Sequence, residues 1–144
     1  MAPVLGWFDV HGRDLPWRGT HAWGVLVSEV MLQQTPVARV LPAWAQWLTR
    51  WPTPTDLADA AAADAIRAWG RLGYPRRARY LHAGATRIRD LHAGRVPADV
   101  EALRALPGVG DYTAAAVLAF AFTRRSIVLD TNVRRVLVRI AAGE

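Results

Sequence analysis

Cysteine and lysine are both absent from this 144-residue sequence, and each absence excludes one kind of chemistry. Without cysteine, neither a disulfide nor a thiolate metal site can form within these residues. Without lysine, no side-chain amine is available to form a Schiff base, and arginine is a poor substitute because its guanidinium stays protonated. All 18 basic residues are therefore arginines, whose planar forks suit bidentate binding of phosphate.

Long apolar runs and secretory features are also lacking. The longest apolar run, Ala114 to Phe122, is much shorter than the ~20 residues that span a membrane. The first residues, Met-Ala-Pro-Val-Leu-Gly-Trp, contain neither the basic segment nor the cleavage site of a secretory signal. We therefore expect a cytoplasmic protein without a membrane partner.

The composition that is present indicates a folded, basic domain. Apolar residues make up 52% of the chain, which is enough for a hydrophobic core, and the formal net charge is +6. A basic domain favours an anionic partner, and nucleic acid is the first to consider.

Proline and glycine divide the sequence into short helical segments, and no strand-like alternation is evident. This pattern predicts an all-α fold, with one domain over residues 1–144. We expect N-caps at Thr35, Thr55 and Asp99. Besides a short helix after Asp99, the predicted helices cover about 3–11, 22–33, 36–51, 56–60, 64–71, 75–92, 111–122 and 132–142.

A helix-hairpin-helix pattern occupies residues 103–122. Pro107 cannot continue the first helix, and Gly108 and Gly110, which flank Val109, permit a positive φ. The second helix then starts with unpaired N–H groups, which can bind a phosphate. An ordinary tight turn between two helices is the alternative interpretation.

Two carboxylates lie in contrasting surroundings. Glu29 is the only acidic residue between Asp14 and Asp56 and has apolar neighbours. A carboxyl in such surroundings tends to have a raised pKa and can act as an acid. Asp130 precedes the last helix, where a negative charge is stabilised. Such a pair suits cleavage of a glycosidic bond. Glu29 as a solvated surface charge, and Asp130 as a simple N-cap, are the alternatives.

Polar and aromatic side chains near these positions suit contact with nucleic acid. Gln33 and Gln34 offer amide groups that can reach base edges. Tyr74 lies on a turn with four arginines nearby and can stack on bases or wedge between them, although a core tyrosine is the alternative. The four histidines show no metal-ligand spacing, so we predict no metal site.

Five motifs occur in an order that resembles one family. They are Leu-Pro-Trp-Arg, Ser-Glu-Val-Met-Leu-Gln-Gln-Thr, Gly-Leu-Gly-Tyr, Leu-Pro-Gly-Val-Gly-Asp-Tyr-Thr-Ala and Leu-Asp-Thr-Asn-Val-Arg-Arg-Val. From about Trp7 to Gly143, the chain resembles the catalytic domain of the A/G-specific adenine DNA glycosylases (MutY type). These belong to the endonuclease III helix-hairpin-helix superfamily.

The resemblance implies a multi-helix DNA glycosylase that removes adenine mispaired with 8-oxoguanine or guanine from double-stranded DNA. By position, Glu29 matches the catalytic acid and Asp130 the second catalytic carboxylate. In strand-cutting relatives a lysine follows the hairpin, and Tyr112 takes that place here, which implies a monofunctional enzyme. The expected DNA-binding residues are Gln33, Gln34, Thr35, Tyr74, Arg76, Gly108, Val109, Gly110 and Asn132.

The resemblance also implies parts that residues 1–144 do not include. The family's four-cysteine loop, which binds a [4Fe-4S] cluster, and its domain that reads 8-oxoguanine would follow residue 144. We therefore expect a monomeric domain truncated before the cluster loop. In the family the first helix packs beside later helices that residues 1–144 do not include, so Leu5, Trp7 and Phe8 are expected to be exposed.

Three other functions fit the same sequence. A glycosylase of the same superfamily could act on mismatched thymine or on oxidised pyrimidines. The chain could bind the DNA backbone without catalysis. It could also be an all-α interaction domain whose basic charge is incidental.

Overall fold

The computed structural model describes residues 2–143, and within that range it contains nine α-helices and no strand. The predicted all-α fold is therefore confirmed for the described residues. No helix within them is long and apolar enough to cross a membrane. The helices are α1 (Ala2–His11), α2 (Ala22–Leu32), α3 (Val37–Arg50), α4 (Pro54–Asp59), α5 (Ala62–Trp69), α6 (Arg76–Leu91), α7 (Val100–Arg104), α8 (Asp111–Phe122) and α9 (Thr131–Ala142).

Helix α2 lies at the centre of the fold. Every residue from Trp23 to Met31 is buried, because the helix is apolar on all sides and has neighbours on all sides. Helices α3, α6 and α8 pack directly against it, and α4 and α5 pack on α6. The surrounding core includes an edge-to-face group of indoles in which the Trp47 ring lies 4.7 Å from that of Trp51 and 5.6 Å from that of Trp69.

Two of the three predicted N-caps are wrong. Thr35 does not cap α3, since its hydroxyl donates a hydrogen bond to the Leu72 carbonyl oxygen at 2.9 Å inside the protein. Thr53 rather than Thr55 caps α4: Thr53 Oγ1 accepts from the Asp56 N–H at 3.2 Å, and the Asp56 carboxylate accepts from the Thr53 N–H at 2.9 Å.

Asp99 caps α7 as predicted, because its carboxylate accepts from the Ala102 N–H at 2.8 Å. Helix α5 ends at Trp69, earlier than expected, since Gly70 takes a positive φ of 57°. Helix α9 starts at Thr131 and is capped by Asp130, whose Oδ1 accepts from the Val133 N–H at 2.6 Å. The predicted helices therefore exist, and their ends differ by a few residues.

The first and last helices lie on the outside of the described structure and bury no residue. Leu5, Trp7 and Phe8 are 59%, 60% and 48% exposed, which confirms the expected apolar patch on α1. Helix α9 also exposes large apolar side chains, at Val133, Val136, Leu137, Val138 and Ile140.

Candidate active site

In the hairpin between α7 and α8, one position has a backbone conformation and a close contact that only glycine accommodates. Gly108 has a φ of +76°, and a Cβ there would lie 2.9 Å from the Cβ of Tyr80 on α6. Gly110 has an ordinary φ of −94°, so this position does not use the positive φ that glycine permits. A Cβ on Gly110 would meet no protein atom within 4 Å, which leaves open space in front of α8.

The start of α8 can accept an anion. Gly110 is its N-cap and provides no side-chain hydrogen bond, so the first N–H groups of α8 remain available to a phosphate. Val109 is buried and holds the hairpin against the core. Arg104 Nε and the Asp111 carboxylate lie 2.8 Å apart and join the two hairpin helices at the surface.

Glu29 lies in the buried helix α2 and is only 7% exposed. Burial raises the pKa of its carboxyl from 4.5 to about 7. Within residues 2–143, no hydrogen bond to that carboxyl offsets the loss of water. The interpretation of Glu29 as a solvated surface charge is therefore wrong, and near neutral pH this carboxyl can hold a proton and release it.

Asp130 reaches the same region from the start of α9. Its Oδ1 accepts the hydrogen bond that caps this helix. The N-cap alternative is thus correct. Capping does not remove the second role, because the helix N-terminus also favours a negative charge on the carboxylate.

An open cleft of about 620 Å³, here called the carboxylate cleft, brings the expected catalytic residues together. Glu29, Tyr112 and Asp130 all line it, and they come from α2, α8 and the start of α9. Its remaining lining residues are Leu32, Gln33, Gln34, Leu129, Thr131 and Asn132. Its size is in the range typical of ligand sites.

The negative charges of both carboxylates affect the pKa of the Tyr112 hydroxyl. Burial, followed by the negative charges of Glu29 and Asp130, raises the pKa of its hydroxyl to about 12. The hydroxyl therefore stays protonated at neutral pH. Within the described residues the hydroxyl has no hydrogen-bond partner, so the structure gives Tyr112 an electrostatic link to the pair and no direct bond.

A second cavity, which the sequence analysis missed, shares Glu29 as a wall. This inner pocket has a volume of about 700 Å³ and is more enclosed and more apolar than the carboxylate cleft. It is lined by Phe8, Arg13, Leu15, Trp17, Arg18, Val25, Ser28, Glu29, Leu32, Val37, Ala119 and Phe120. Leu15, Trp17 and Arg18 of the Leu-Pro-Trp-Arg motif line this pocket, so the motif was the available signal.

Residues expected at the DNA surface meet in a shallow groove of about 280 Å³, here called the tyrosine groove. Tyr74 is 56% exposed, so the alternative of a core tyrosine is wrong. Gln34 and Tyr74 have positive φ values of 57° and 49°, a conformation that costs a side-chain-bearing residue ~1–2 kcal/mol. The groove is lined by Gln33, Gln34, Tyr74, Arg76, Arg77, Tyr80 and Gly108.

Two positions differ from their expected roles. Thr35 is 5% exposed and its hydroxyl is bonded within the protein, so it supports the surface rather than contacting DNA. Arg77, interpreted from sequence as part of a basic helix start, is only 6% exposed. Burial lowers the pKa of its guanidinium from the ordinary value. A run of four arginines gives no sequence signal that one of them points inward.

Metal binding has no basis in the described residues. No group of three or more His, Asp or Glu side chains is placed to hold an ion within residues 2–143. The chain also has no cysteine, so its own residues do not fit the [4Fe-4S] cluster that the resemblance implies.

Sequence comparison identifies close relatives of this chain. Residues 27–144 match the family described as HhH-GPD superfamily base excision DNA repair protein. The adenine DNA glycosylase of Mycobacterium tuberculosis is 56% identical over 142 residues, which are 97% of this chain and 47% of that relative. The chain therefore spans about half the length of this relative.

Solved structures show the same fold. The structure of a thermostable thymine-DNA glycosylase superposes with a TM-score of 0.88 at 28% identity, covering 94% of this chain and 64% of the other. Endonuclease III in a non-covalent complex with DNA gives a TM-score of 0.85 at 26% identity, covering 97% of this chain and 65% of the other. This chain belongs to the HhH-GPD superfamily of base excision DNA repair proteins.

Proposed function

We propose that the chain carries the glycosylase chemistry of an enzyme that removes adenine mispaired with 8-oxoguanine or guanine and leaves an abasic site. The observation that carries the proposal is Glu29, a buried carboxyl with a pKa of about 7, which shares a cleft with the helix-capping carboxylate of Asp130. Similarity to an adenine DNA glycosylase supports adenine as the base.

Duplex DNA would be held mainly through its phosphates. The free N–H groups at the start of α8 and the excess of arginine supply that attraction. The tyrosine groove adjoins the hairpin at Gly108, so Tyr74 would wedge into the base stack while Gln33 and Gln34 reach the mispair. Arg76 and Asn132 would add polar contacts from the groove and the carboxylate cleft.

The extruded adenine would occupy the inner pocket. Its aromatic and aliphatic walls, including Leu15 and Trp17, suit a flat purine, and Arg13 and Arg18 offer donors to the ring nitrogens. The sugar would then lie at the carboxylate cleft. Glu29 borders both cavities and so would lie between base and sugar.

Proton transfer from Glu29 to adenine N7 would start the reaction. The bond between C1′ and N9 breaks, its electron pair moves to the purine, and the sugar becomes an oxocarbenium-like cation. Asp130 stabilises that cation by its charge or captures it as a transient ester, and water then adds at C1′ with loss of a proton. Tyr112 cannot form an imine, so the DNA strand stays intact.

All these residues come from one chain, so a monomer would suffice for the reaction. The proposed role would place the protein with chromosomal DNA in the cytoplasm. A thymine-specific activity is the competing assignment, because a thymine-DNA glycosylase has the same fold.

Base excision from defined mispairs tests the proposal. The chain, with whatever sequence follows residue 144 in its gene, would be mixed in excess with duplexes containing A:8-oxoguanine, A:G, T:G or only matched pairs. We expect excision of adenine alone, and none by Glu29→Gln at unchanged DNA affinity, because an amide cannot give up the proton. Excision of thymine, or full activity of the variant, would contradict the proposal.

A further inference from the structure

Arg77 is a buried cation without a carboxylate partner in the described residues. It lies one residue into α6, and its guanidinium faces the rings of Trp69 and Tyr74 at 5.1 and 5.6 Å from their centroids. Its two terminal nitrogens donate hydrogen bonds to uncharged oxygen atoms, and these oxygen atoms belong to two separate segments of the chain. A side chain used in this way joins those segments.

The first segment is the end of α2. Arg77 Nη1 donates to the carbonyl oxygens of Val30 and Met31, each at 3.0 Å, and also to that of Gln33. These are carbonyls at the helix C-terminus, where a cation is favoured. The guanidinium therefore caps the helix that carries Glu29 and leads into the glutamine pair.

The second segment is the loop before Tyr74. Arg77 Nη2 donates to the carbonyl oxygens of Leu72 at 3.2 Å and Gly73 at 2.9 Å. The same nitrogen donates to Thr35 Oγ1 at 2.9 Å, and Thr35 itself donates to the Leu72 carbonyl. The turn that presents Tyr74 is thus fixed to the end of α2 through one side chain.

Two of the bonded carbonyls have a specific geometric effect. The Gln33 carbonyl belongs to the peptide plane that precedes Gln34, and the Gly73 carbonyl to the plane that precedes Tyr74. Rotation of these planes changes φ at Gln34 and Tyr74, the two non-glycine residues of the tyrosine groove that have a positive φ. Arg77 therefore binds the peptide groups whose orientation sets both unfavourable backbone conformations.

We propose that Arg77 is a positioning residue that holds Gln34 and Tyr74 in their left-handed conformations before DNA arrives, and so sets mispair recognition. This rests on the proposed function of the groove. Arg77 is not a contact residue, since its side chain is buried and both terminal nitrogens are bonded within the protein. Lysine would keep the charge, but its single ammonium nitrogen cannot occupy the positions of both terminal nitrogens of Arg77, so it loses bonds to at least one segment.

Amide hydrogen exchange tests the local claim without reference to activity. Arg77→Lys should exchange faster in peptides covering 31–36 and 71–76, while the hairpin peptide 105–112 stays unchanged. The matched control is Arg89→Lys, the same substitution on the same helix, where the arginine pairs at the surface with Asp59 and Asp90. Unchanged exchange in both peptides would overturn the proposal.

Binding to mispaired and matched duplexes tests the consequence. Arg77→Lys should lower the ratio of mispair to matched affinity about tenfold, which equals about 1.4 kcal/mol, with matched-duplex affinity retained. In a Tyr74→Ala background the same substitution should lower that ratio much less, because one of its targets is gone. Full additivity of the two substitutions would contradict a positioning role.

A second variant covers the case in which Arg77→Lys does not fold. Thr35→Val removes one acceptor of Arg77 and keeps the side-chain shape, so a smaller loss of the ratio is expected, together with faster exchange over 31–36 and 71–76. A ratio and exchange equal to wild type would refute the proposal. If wild type itself shows no preference for mispaired DNA, the proposed function is wrong. The hydrogen-exchange result still decides whether Arg77 holds the segments 31–36 and 71–76 in place.

Discussion

The buried Glu29 carboxyl should contribute stability at low pH that is lost as pH rises, and Glu29→Gln should remove that contribution. Burial raises the Glu29 pKa from 4.5 to about 7 in the folded state. At about 1.4 kcal/mol per pH unit of pKa difference, the ionised carboxyl destabilises the folded state by about 3 kcal/mol. For a domain of this size, that is a large part of the total stability.

The direction follows from proton binding in the two states. Below pH 4.5 the carboxyl is protonated in both the folded and unfolded chain, and the penalty is absent. Between pH 4.5 and about 7 the folded chain keeps a proton that the unfolded chain has released, so the free energy of unfolding falls as pH rises. Above about pH 7 both states are ionised and the full penalty remains.

Urea unfolding followed by tryptophan fluorescence measures this effect. The quantity to compare is the unfolding free energy of Glu29→Gln minus that of wild type. This difference should be about 3 kcal/mol larger at pH 8 than at about pH 4.5. A constant effect of the amide on stability cancels in that comparison. Glu101→Gln is the control, since that exposed side chain should change the pH dependence by less than about 0.5 kcal/mol. An offset between Glu29→Gln and wild type that is the same at every pH would refute the assignment of a raised pKa.

Three further predictions concern the hairpin, the charge and the missing amine. Gly108→Ala should destabilise the fold by about 2 kcal/mol in urea unfolding, because the positive φ and the contact with Tyr80 both oppose a methyl group. Gly110→Ala should keep wild-type stability and weaken duplex binding. Equal stability of the two variants would contradict this prediction. Duplex affinity measured by anisotropy should fall steeply with salt, and a flat plot of log affinity against log salt would exclude phosphate binding. Borohydride added during turnover should trap no protein–DNA adduct within residues 2–144, and a trapped adduct there would disprove the monofunctional assignment.

The sequence predicted local structure best where a short residue pattern is compatible with few conformations. Pro-Gly-Val-Gly predicted the hairpin and permits the positive φ of Gly108. The lone glutamate among apolar neighbours left a buried acid and a solvated charge open at Glu29, and the family resemblance favoured the acid, which is buried. Asp130 caps α9, as one of the two interpretations of the sequence predicts, and its role as a second catalytic carboxylate stays a prediction.

Features that depend on contacts distant in sequence were beyond prediction. Arg77 has the same local pattern as Arg76 and Arg79, and its burial results from two carbonyl oxygens and one hydroxyl oxygen that lie 42 to 47 residues earlier in the chain. Thr35 was assigned as a cap from its position before Pro36, whereas a hydrogen bond to Leu72 fixes it. The inner pocket joins the 13–18 loop to α2 and α8, so only the folded chain shows that it exists.

The complete burial of Trp23–Met31 has a consequence for genetics. The proposed proton donor, Glu29, lies within nine consecutive residues that all belong to the protein interior. Most missense changes in this segment will therefore lower the amount of folded protein, and those near Glu29 will also alter its proton affinity. A mutator phenotype mapped to this helix would not distinguish lost chemistry from lost protein. Alleles should be interpreted only together with the cellular abundance of the variant.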